Sequence, residues 1–364
     1  MTSVDVVHHD GDGDRAHATL RVLLVGGSSD RPGGVEAFCE RAKQALAGDD
    51  SVMLEHLTTS TAFFRPRGLP RLLGEMRQLI RYRRWSPDVV WFQWVNVVDL
   101  AFLVLARLCG YRVVVTPHLG ANWRSQRNPA LRRLGSLVMR LANQFALLSP
   151  TQAVELSLPQ GVPSRMIRTF LPQEIWAADG QQADTATGKL RLIHSARLSA
   201  GKGSFLFLEV CAGLKRAGAL FEATLAGGAD DQTMAEIQAR IAALGLSDDV
   251  RYVGWLKTDA MMARLRESDV LVHLSIMDSY PLIVLESLAS GAFPLCLDLA
   301  GARHMTEAYD GAVVSEGSAV VDAVSFLLAN PSATLRDRAR VAAAKVRADH
   351  AWSNAAMTLK AALS

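Results

Sequence analysis

The stretch "DVLVHLSIMDSYPLIVLESLASGAFPLCLD" (269–298) decides the fold. "DVLVHLS" (269–275) is a short apolar run of the kind a strand buried on both faces requires. "IMD" leaves it as a loop. Pro281 is expected in the first turn of a helix, where its missing N–H costs nothing. "LIVLESLAS" (282–290) continues that helix to Gly291, and "FPLCLD" (293–298) is a second buried strand. Two carboxylates bracket the apolar middle. Asp278 lies in the loop, and Glu286 lies inside the helix, roughly 8 Å further along its axis at about 1.5 Å per residue. Both are expected to face a cleft while the residues between them pack on a sheet.

The same grammar extends outward in both directions. In the second half, "LRLIHSARL", "FEATLAGG" and "DVRYVGW" read as strands. "SFLFLEVCAGLKRAG", "TMAEIQARIAALG" and "TDAMMARLRES" read as helices. In the first half, "LRVLLVGG" (20–27), "DVVWFQW" (88–94), "RVVVTPH" (112–118) and "QFALLSP" (144–150) are strands. They alternate with helices at "VEAFCERAKQAL" (35–46), "VDLAFLVLARLCG" (98–110) and "ALRRLGSLVMRLAN" (130–143). Strand and helix alternate as in a doubly wound parallel sheet. The polar run "PQEIWAADGQQADTATGK" interrupts the alternation. The expected organisation is an α/β chain of two Rossmann-like domains, residues 20–172 and 190–349, with a linker at 173–189 and a disordered tail at 1–19. Two such halves bind a ligand in the crevice between them, at the C-terminal ends of their strands.

The chain has 364 residues, long for one hydrophobic core and sufficient for two. Its net charge of +3 is too small to argue for nucleic acid, but the charge is unevenly spread, +7 over 1–172 and −4 over the remainder. Cys39, Cys109, Cys211 and Cys296 lie far apart with no C-x-x-C spacing, which argues against a zinc site or a disulfide framework and for a reducing cytoplasm. The start, "MTSVDVVHHDGDGDR", is the reverse of a signal peptide. The most apolar region, 89–110, runs at most ten residues without a charge. That is half of the roughly 20 needed to span a bilayer.

Three loops carry candidate chemistry. The first, "VGGSSDRPGGVEAF", is not the dinucleotide fingerprint, but Gly33 and Gly34 stand directly before a helix. There backbone can approach a ligand and the helix terminus attracts an anion. The second, "HSARLSAGKGSFLF" (194–207), is not a Walker A loop. It brings Arg197 at a strand end and Lys202 at a helix start to one junction, a pair of cations suited to a diphosphate. The third is the opening stretch itself. The D-x-D of "HHDGDGD" (8–14) precedes the first strand, and Arg21 stands where a calcium loop would need Glu. No metal site is expected there.

"ARLSAGKG", "DVLVHLSIMDSYPLIVLESLASG" and "GGVEAF" together resemble retaining glycosyltransferases of the GT-B fold, family 4. The family's E-x7-E signature stands here as D-x7-E, Asp278 to Glu286, and Pro281 stands where glycine is common. The resemblance implies that Arg197 and Lys202 hold the donor diphosphate and that Glu286 accepts hydrogen bonds from the nucleotide ribose. It implies that Asp278 binds donor-sugar hydroxyls, helped by backbone amides near Tyr280 and Leu282. Gly33 and Gly34 would let the first loop close over the phosphates, and His118 would reach the sugar from the other domain. No cofactor is implied. The implied donor is a UDP- or GDP-linked sugar, and the implied acceptor a saccharide, free or lipid-linked. The closing segment, about 350–364, resembles the family's helix that crosses back to the first domain. Other readings are a different GT-B activity such as a sugar-nucleotide epimerase, or a non-catalytic sugar-nucleotide sensor. Turnover separates these from a transferase.

The acceptor side is marked by "FFRPRGLPRLLGEMRQLIRYRRW" (63–85), with seven arginines and one acid. Leu72, Leu73, Met76, Leu79 and Ile80 are expected on one helical face. Such a helix lies on an anionic membrane or packs on its own domain. "NWRSQRNPALRRLGSLVMR" (122–140) adds five more arginines.

Overall fold

The computed structural model describes residues 19–27, 33–61, 66–177 and 188–364. The expected tail (but for Thr19) and the middle of the expected linker lie outside the described residues.

The first sheet is built from β1 (Leu20–Val25), β2 (Val52–Leu57), β3 (Val89–Trp94), β4 (Val113–Pro117), β5 (Gln144–Leu147) and β6 (Ser164–Met166). All pairings are parallel, in the order β2-β1-β3-β4-β5-β6. Its helices are α1 (Gly34–Leu46), α2 (Leu69–Arg81), α3 (Leu100–Leu108), α4 (Arg124–Arg127), α5 (Pro129–Met139) and α6 (Gln152–Glu155). The second sheet holds β7 (Leu190–Ser195), β8 (Phe221–Ala226), β9 (Val250–Gly254), β10 (Val270–His273), β11 (Phe293–Leu297) and β12 (Ala312–Val314). It is also parallel, in the order β12-β11-β10-β7-β8-β9. Its helices are α7 (Ser204–Arg216), α8 (Asp231–Ala243), α9 (Thr258–Glu267), α10 (Leu282–Ala289), α11 (Ala300–Tyr309), α12 (Ala319–Ala329) and α13 (Ser332–Asp349).

Each sheet reverses its winding once, between β1 and β3 in the first and between β7 and β10 in the second. At such a switch point the flanking loops part and leave a crevice beyond the carboxyl ends of the strands. The central strands are apolar on both faces because helices cover both. One apolar cluster joins β3 and β4 to α2 and α3, and another joins β1, β3 and β4 to α1. The second domain has an equivalent pair on the two faces of its sheet.

The last helix, α14 (Trp352–Leu363), belongs to the second half of the sequence but packs in the first domain. Ala355, Leu359, Ala362 and Leu363 are fully buried there. Gln144 donates to the Ala362 carbonyl at 2.8 Å, and Lys360 pairs with Asp49. Trp352 Nε1 donates to Leu171 O at 2.7 Å, where the chain leaves the first domain.

One local expectation changes. Pro281 is the N-cap of α10, at φ −72° and ψ 106°, rather than a residue of its first turn. An extended residue there turns the chain from the Asp278 loop into the helix.

Candidate functional site

The second sheet's switch point is held by two turns packed back to back. Gly203, at φ 79°, lies so close to the end of β10 that a Cβ would stand 2.3 Å from Leu274 O. Only glycine satisfies both the left-handed backbone and that approach. The turn carrying Lys202 is laced by serines: Ser199 Oγ accepts from Lys202 N at 3.3 Å, and Ser204 Oγ accepts from Ser199 N at 3.1 Å. His194 lies beneath. Its Nδ1 is 3.0 Å from Val272 O, a pure acceptor, so Nδ1 carries the proton. Nε2 is then free to accept the Ser204 hydroxyl at 3.2 Å. Burial pushes the His194 pKa down to about 4.

Asp278 is the centre of this arrangement. Lys202 Nζ donates to Asp278 Oδ1 and also lies 3.4 Å from Met277 O. His273 Nε2 is 2.9 Å from Asp278 Oδ2. Burial alone would raise the Asp278 pKa, but the His273 hydrogen bond and the Lys202 charge outweigh it and hold it far below the usual carboxylate range. An ionised carboxylate only accepts, so His273 Nε2 is the donor. His273 Nδ1 is buried with no partner among the described residues, and the ring lies nearly parallel to His194, 6.4 Å away.

The first domain meets this site with the carboxyl ends of its own strands. After β4, Asn122 Nδ2 donates to Ile276 O at 3.1 Å, and a Cβ on Gly120 would stand 3.3 Å from Ser279 Cα. After β1, a Cβ on Gly33 would stand 2.5 Å from Glu36 Oε2 and 3.8 Å from Arg197 Nη2. Gly33 thus brings the α1 terminus against Arg197 across the cleft. Nothing lies within 4 Å of a Cβ on Gly34, so close packing does not demand glycine there. His118 Nε2 is 2.8 Å from Gln93 Oε1, and its ring stands edge-on to Phe38 at 5.2 Å. Burial pushes its pKa down to about 3, so the imidazole is neutral at physiological pH.

Glu286 does not stand with Asp278. Its Oε1 is 2.7 Å from Arg41 Nη1 of α1, and the same Nη1 lies 3.2 Å from Phe170 O. The two acids therefore sit in separate settings, Asp278 bonded to Lys202 and His273 of its own domain and Glu286 paired across the cleft. Tyr280 and Leu282 pack their side chains on the apolar cluster that contains Phe38.

Sequence reading alone missed Arg41, His194 and His273. His273 ends an otherwise apolar buried strand and His194 stands near the carboxyl end of a largely buried one, which was the available signal. Arg41 lies among the polar residues of an ordinary amphipathic helix and carries no such mark. The helix α2 also differs from expectation. Leu72 and Leu79 are buried and Met76 is partly so, but Leu73 and Ile80 are exposed. Glu75, the single acid of the segment, turns inward, accepting from Ser60 N at 3.1 Å and Arg71 Nε at 3.2 Å.

The neutral histidines set a pH dependence. His118 and His194 have folded pKa values of about 3 and about 4, below the ordinary 6.5. Their stabilisation is complete above pH 6.5 and is lost as pH falls toward those values, on the order of 3 kcal/mol per histidine. Asp99 opposes this, because burial raises its pKa to about 6 and the fold gains protons there. Two histidines outweigh one aspartate, so Tm is expected to fall steadily from pH 6.5 to 4.5. A flat Tm over that window would show that the rings are not held neutral.

Two parallel α/β domains, each presenting the carboxyl end of its sheet to a shared cleft, define the GT-B fold. Comparison with known proteins adds to this. Residues 178–346 match the family described as glycosyl transferases group 1. A putative glycosyltransferase EpsF of Bacillus subtilis (strain 168) is 31% identical over 206 residues, 52% of each chain. The amylovoran biosynthesis glycosyltransferase AmsK of Erwinia amylovora is 32% identical over 108 residues, 28% of this chain and 26% of that one. The chain thus spans about half the length of the first relative and a quarter of the second. Among solved structures, Anabaena Alr3699/HepE in complex with UDP and glucose superposes with a TM-score of 0.69. It is 15% identical, covering 94% of this chain and 98% of that one.

Proposed function

We propose that the chain is a retaining glycosyltransferase that moves a sugar from a nucleotide-sugar to a saccharide acceptor in polysaccharide assembly. One observation carries the reading: Lys202, Asp278 and His273 form one hydrogen-bonded cluster at the switch point of the domain that matches the group 1 family. The relative named for amylovoran biosynthesis, and a neighbour of this fold solved in complex with UDP and glucose, support it.

The chemistry follows from the residues. Transfer breaks the bond between the sugar's anomeric carbon and the diphosphate oxygen, and forms one to an acceptor oxygen on the same face. The acceptor proton passes to the departing phosphate. Positive charge builds on the sugar and negative charge on the diphosphate, and fixed cations stabilise the latter without reorganisation. An ammonium has three donors. Lys202 gives one to Asp278 and directs another toward Met277 O, which leaves a third for a phosphate oxygen. Arg197, beside the positive end of α1, is the second cation. Asp278 retains lone pairs for sugar hydroxyls, and Glu286 reaches the ribose after yielding Arg41. His118, being neutral, is a hydrogen-bonding group for the sugar and not a cation. These groups carry the charge, so the mechanism is metal-independent. The exposed leucines and arginines of α2 hold the enzyme on the anionic inner face of the membrane, where a lipid-linked acceptor resides.

Calorimetry with UDP, GDP and ADP tests the donor site. One nucleotide is expected to bind, and the Arg197→Ala/Lys202→Ala double variant to bind it roughly a hundredfold more weakly or worse. Equal binding by the variant, or none of the three by the wild type, would remove the donor site as drawn.

A further inference from the structure

Just past the loop that touches the donor side, the chain builds a second concave site. Asn122 contacts Ile276, α4 ends five residues later at Arg127, and α5 begins at Pro129. Between them and Ser157 lies a pocket of about 350 Å³. Arg127, Arg132 and Arg133 line it with Gln126, Ser136 and Ser157, and no acid is among the lining residues. Among the described residues, none of the three arginines is ion-paired with a carboxylate.

The pocket is organised. Ser157 holds a left-handed φ of 50°, which aims its hydroxyl at the Arg132 guanidinium, 3.0 Å from Nε. Ser136 Oγ donates to Ser157 O at 2.8 Å and fixes that corner. Arg132 bonds Ser157 through two of its five donors, so three remain. Gln126 is only 5% exposed, and its Oε1 is buried without a partner among the described residues. A buried orphan acceptor is costly and rare in a folded protein unless a ligand or water completes it. Leu134, Leu137 and Leu141 continue outward from the pocket along and just beyond α5, all exposed.

We infer that this pocket is a phosphate site for the acceptor. The three arginines take phosphate oxygens, for which planar bidentate donors are suited. A saccharide hydroxyl next to the phosphate satisfies Gln126. The leucines receive an apolar tail if the acceptor has one. Its assignment to the acceptor rests on the glycosyltransferase reading, whereas the anion site itself does not.

Hydrogen–deuterium exchange of the full chain tests it, with inorganic pyrophosphate as the probe. Exchange across 124–136 is expected to slow in the wild type and equally in Lys202→Ala, which alters only the donor site. In Arg127→Ala/Arg133→Ala the concentration giving half protection is expected to rise about tenfold or more. Both arginines are exposed, so the variant folds, as unchanged exchange over the first-domain strands, 20–25, 89–94 and 113–117, will show. Phosphatidylcholine vesicles containing phosphatidylglycerol separate the sources. Protection that spreads to 137–141 supports a lipid-borne phosphate, and protection by pyrophosphate alone supports a soluble one. No protection of 124–136 by either probe overturns the proposal, as does protection undiminished in the double variant. Protection with no transfer from any nucleotide-sugar leaves the anion site standing and removes the glycosyltransferase reading instead.

Discussion

Replacing Lys202 by alanine is expected to lower kcat for sugar transfer by about 10²–10³-fold, the loss typical when one preorganised group facing developing charge is removed. The effect should fall mainly on kcat. Lys202 is matched to Asp278 before the donor arrives, and its contribution grows as the diphosphate gains charge in the transition state. Removing it also leaves Asp278 with one cationic-side partner fewer, so a structural explanation has to be separated from a catalytic one. Lys202→Ala/Asp278→Asn does this, because the amide needs no counter-charge and still meets His273. If the double variant keeps wild-type Tm and remains as slow as Lys202→Ala, while Asp278→Asn alone is much less impaired, the charge was acting on the leaving group. Recovery of kcat in the double variant would mean that Lys202 merely neutralises Asp278.

Much of this was legible from residue order, for identifiable reasons. The central strands β1, β3, β4, β7, β10 and β11 are buried on both faces, so their apolar runs stand out, and the switch points sit at their ends. The strands that went unnoticed lie on or near sheet edges. In β2, "VMLEHL", exposed positions alternate with covered ones, while β6 and β12 are three residues each. Neither pattern produces an apolar run. The site divides the same way. Lys202, Asp278 and Arg197 belong to turns whose glycines and helix starts mark them. The Arg41–Glu286 pair joins residues 245 positions apart across two domains, and nothing local encodes it. His273 was hidden for a different reason, because one polar residue at the end of a buried strand reads as strand termination. Its meaning comes only from Asp278 returning on it five residues later.

The largest stability loss is expected at a residue outside the site, Asp269, which is 1% exposed. It stands just before β10, at the opposite end of the strand from His273. Its Oδ2 accepts from Arg191 N at 2.8 Å and its Oδ1 meets Arg191 Nη2 at 2.7 Å, with Arg336 Nε of α13 at 3.4 Å. One carboxylate thus ties β7, β10 and α13 beneath the switch point. Deleting one partner of a buried pair leaves the other charge uncompensated, which costs about 3–5 kcal/mol. Asp269→Ala is therefore expected to destabilise the second domain by that amount, and Arg191, itself only 6% exposed, is the group left stranded. For a unit of this size about 1 kcal/mol corresponds to roughly 2–4 °C, so Tm should fall by roughly 6–20 °C. Asp269→Ala/Arg191→Met is expected to recover most of the loss, since a well-packed apolar replacement of a buried pair is often neutral. At temperatures where Asp269→Ala is still folded, nucleotide affinity should be unchanged, because no contact of Asp269 reaches Lys202 or Asp278. A Tm within 2 °C of wild type, roughly the 1 kcal/mol of a surface pair, would mean that water reaches Arg191 and that the tie is not a buried one.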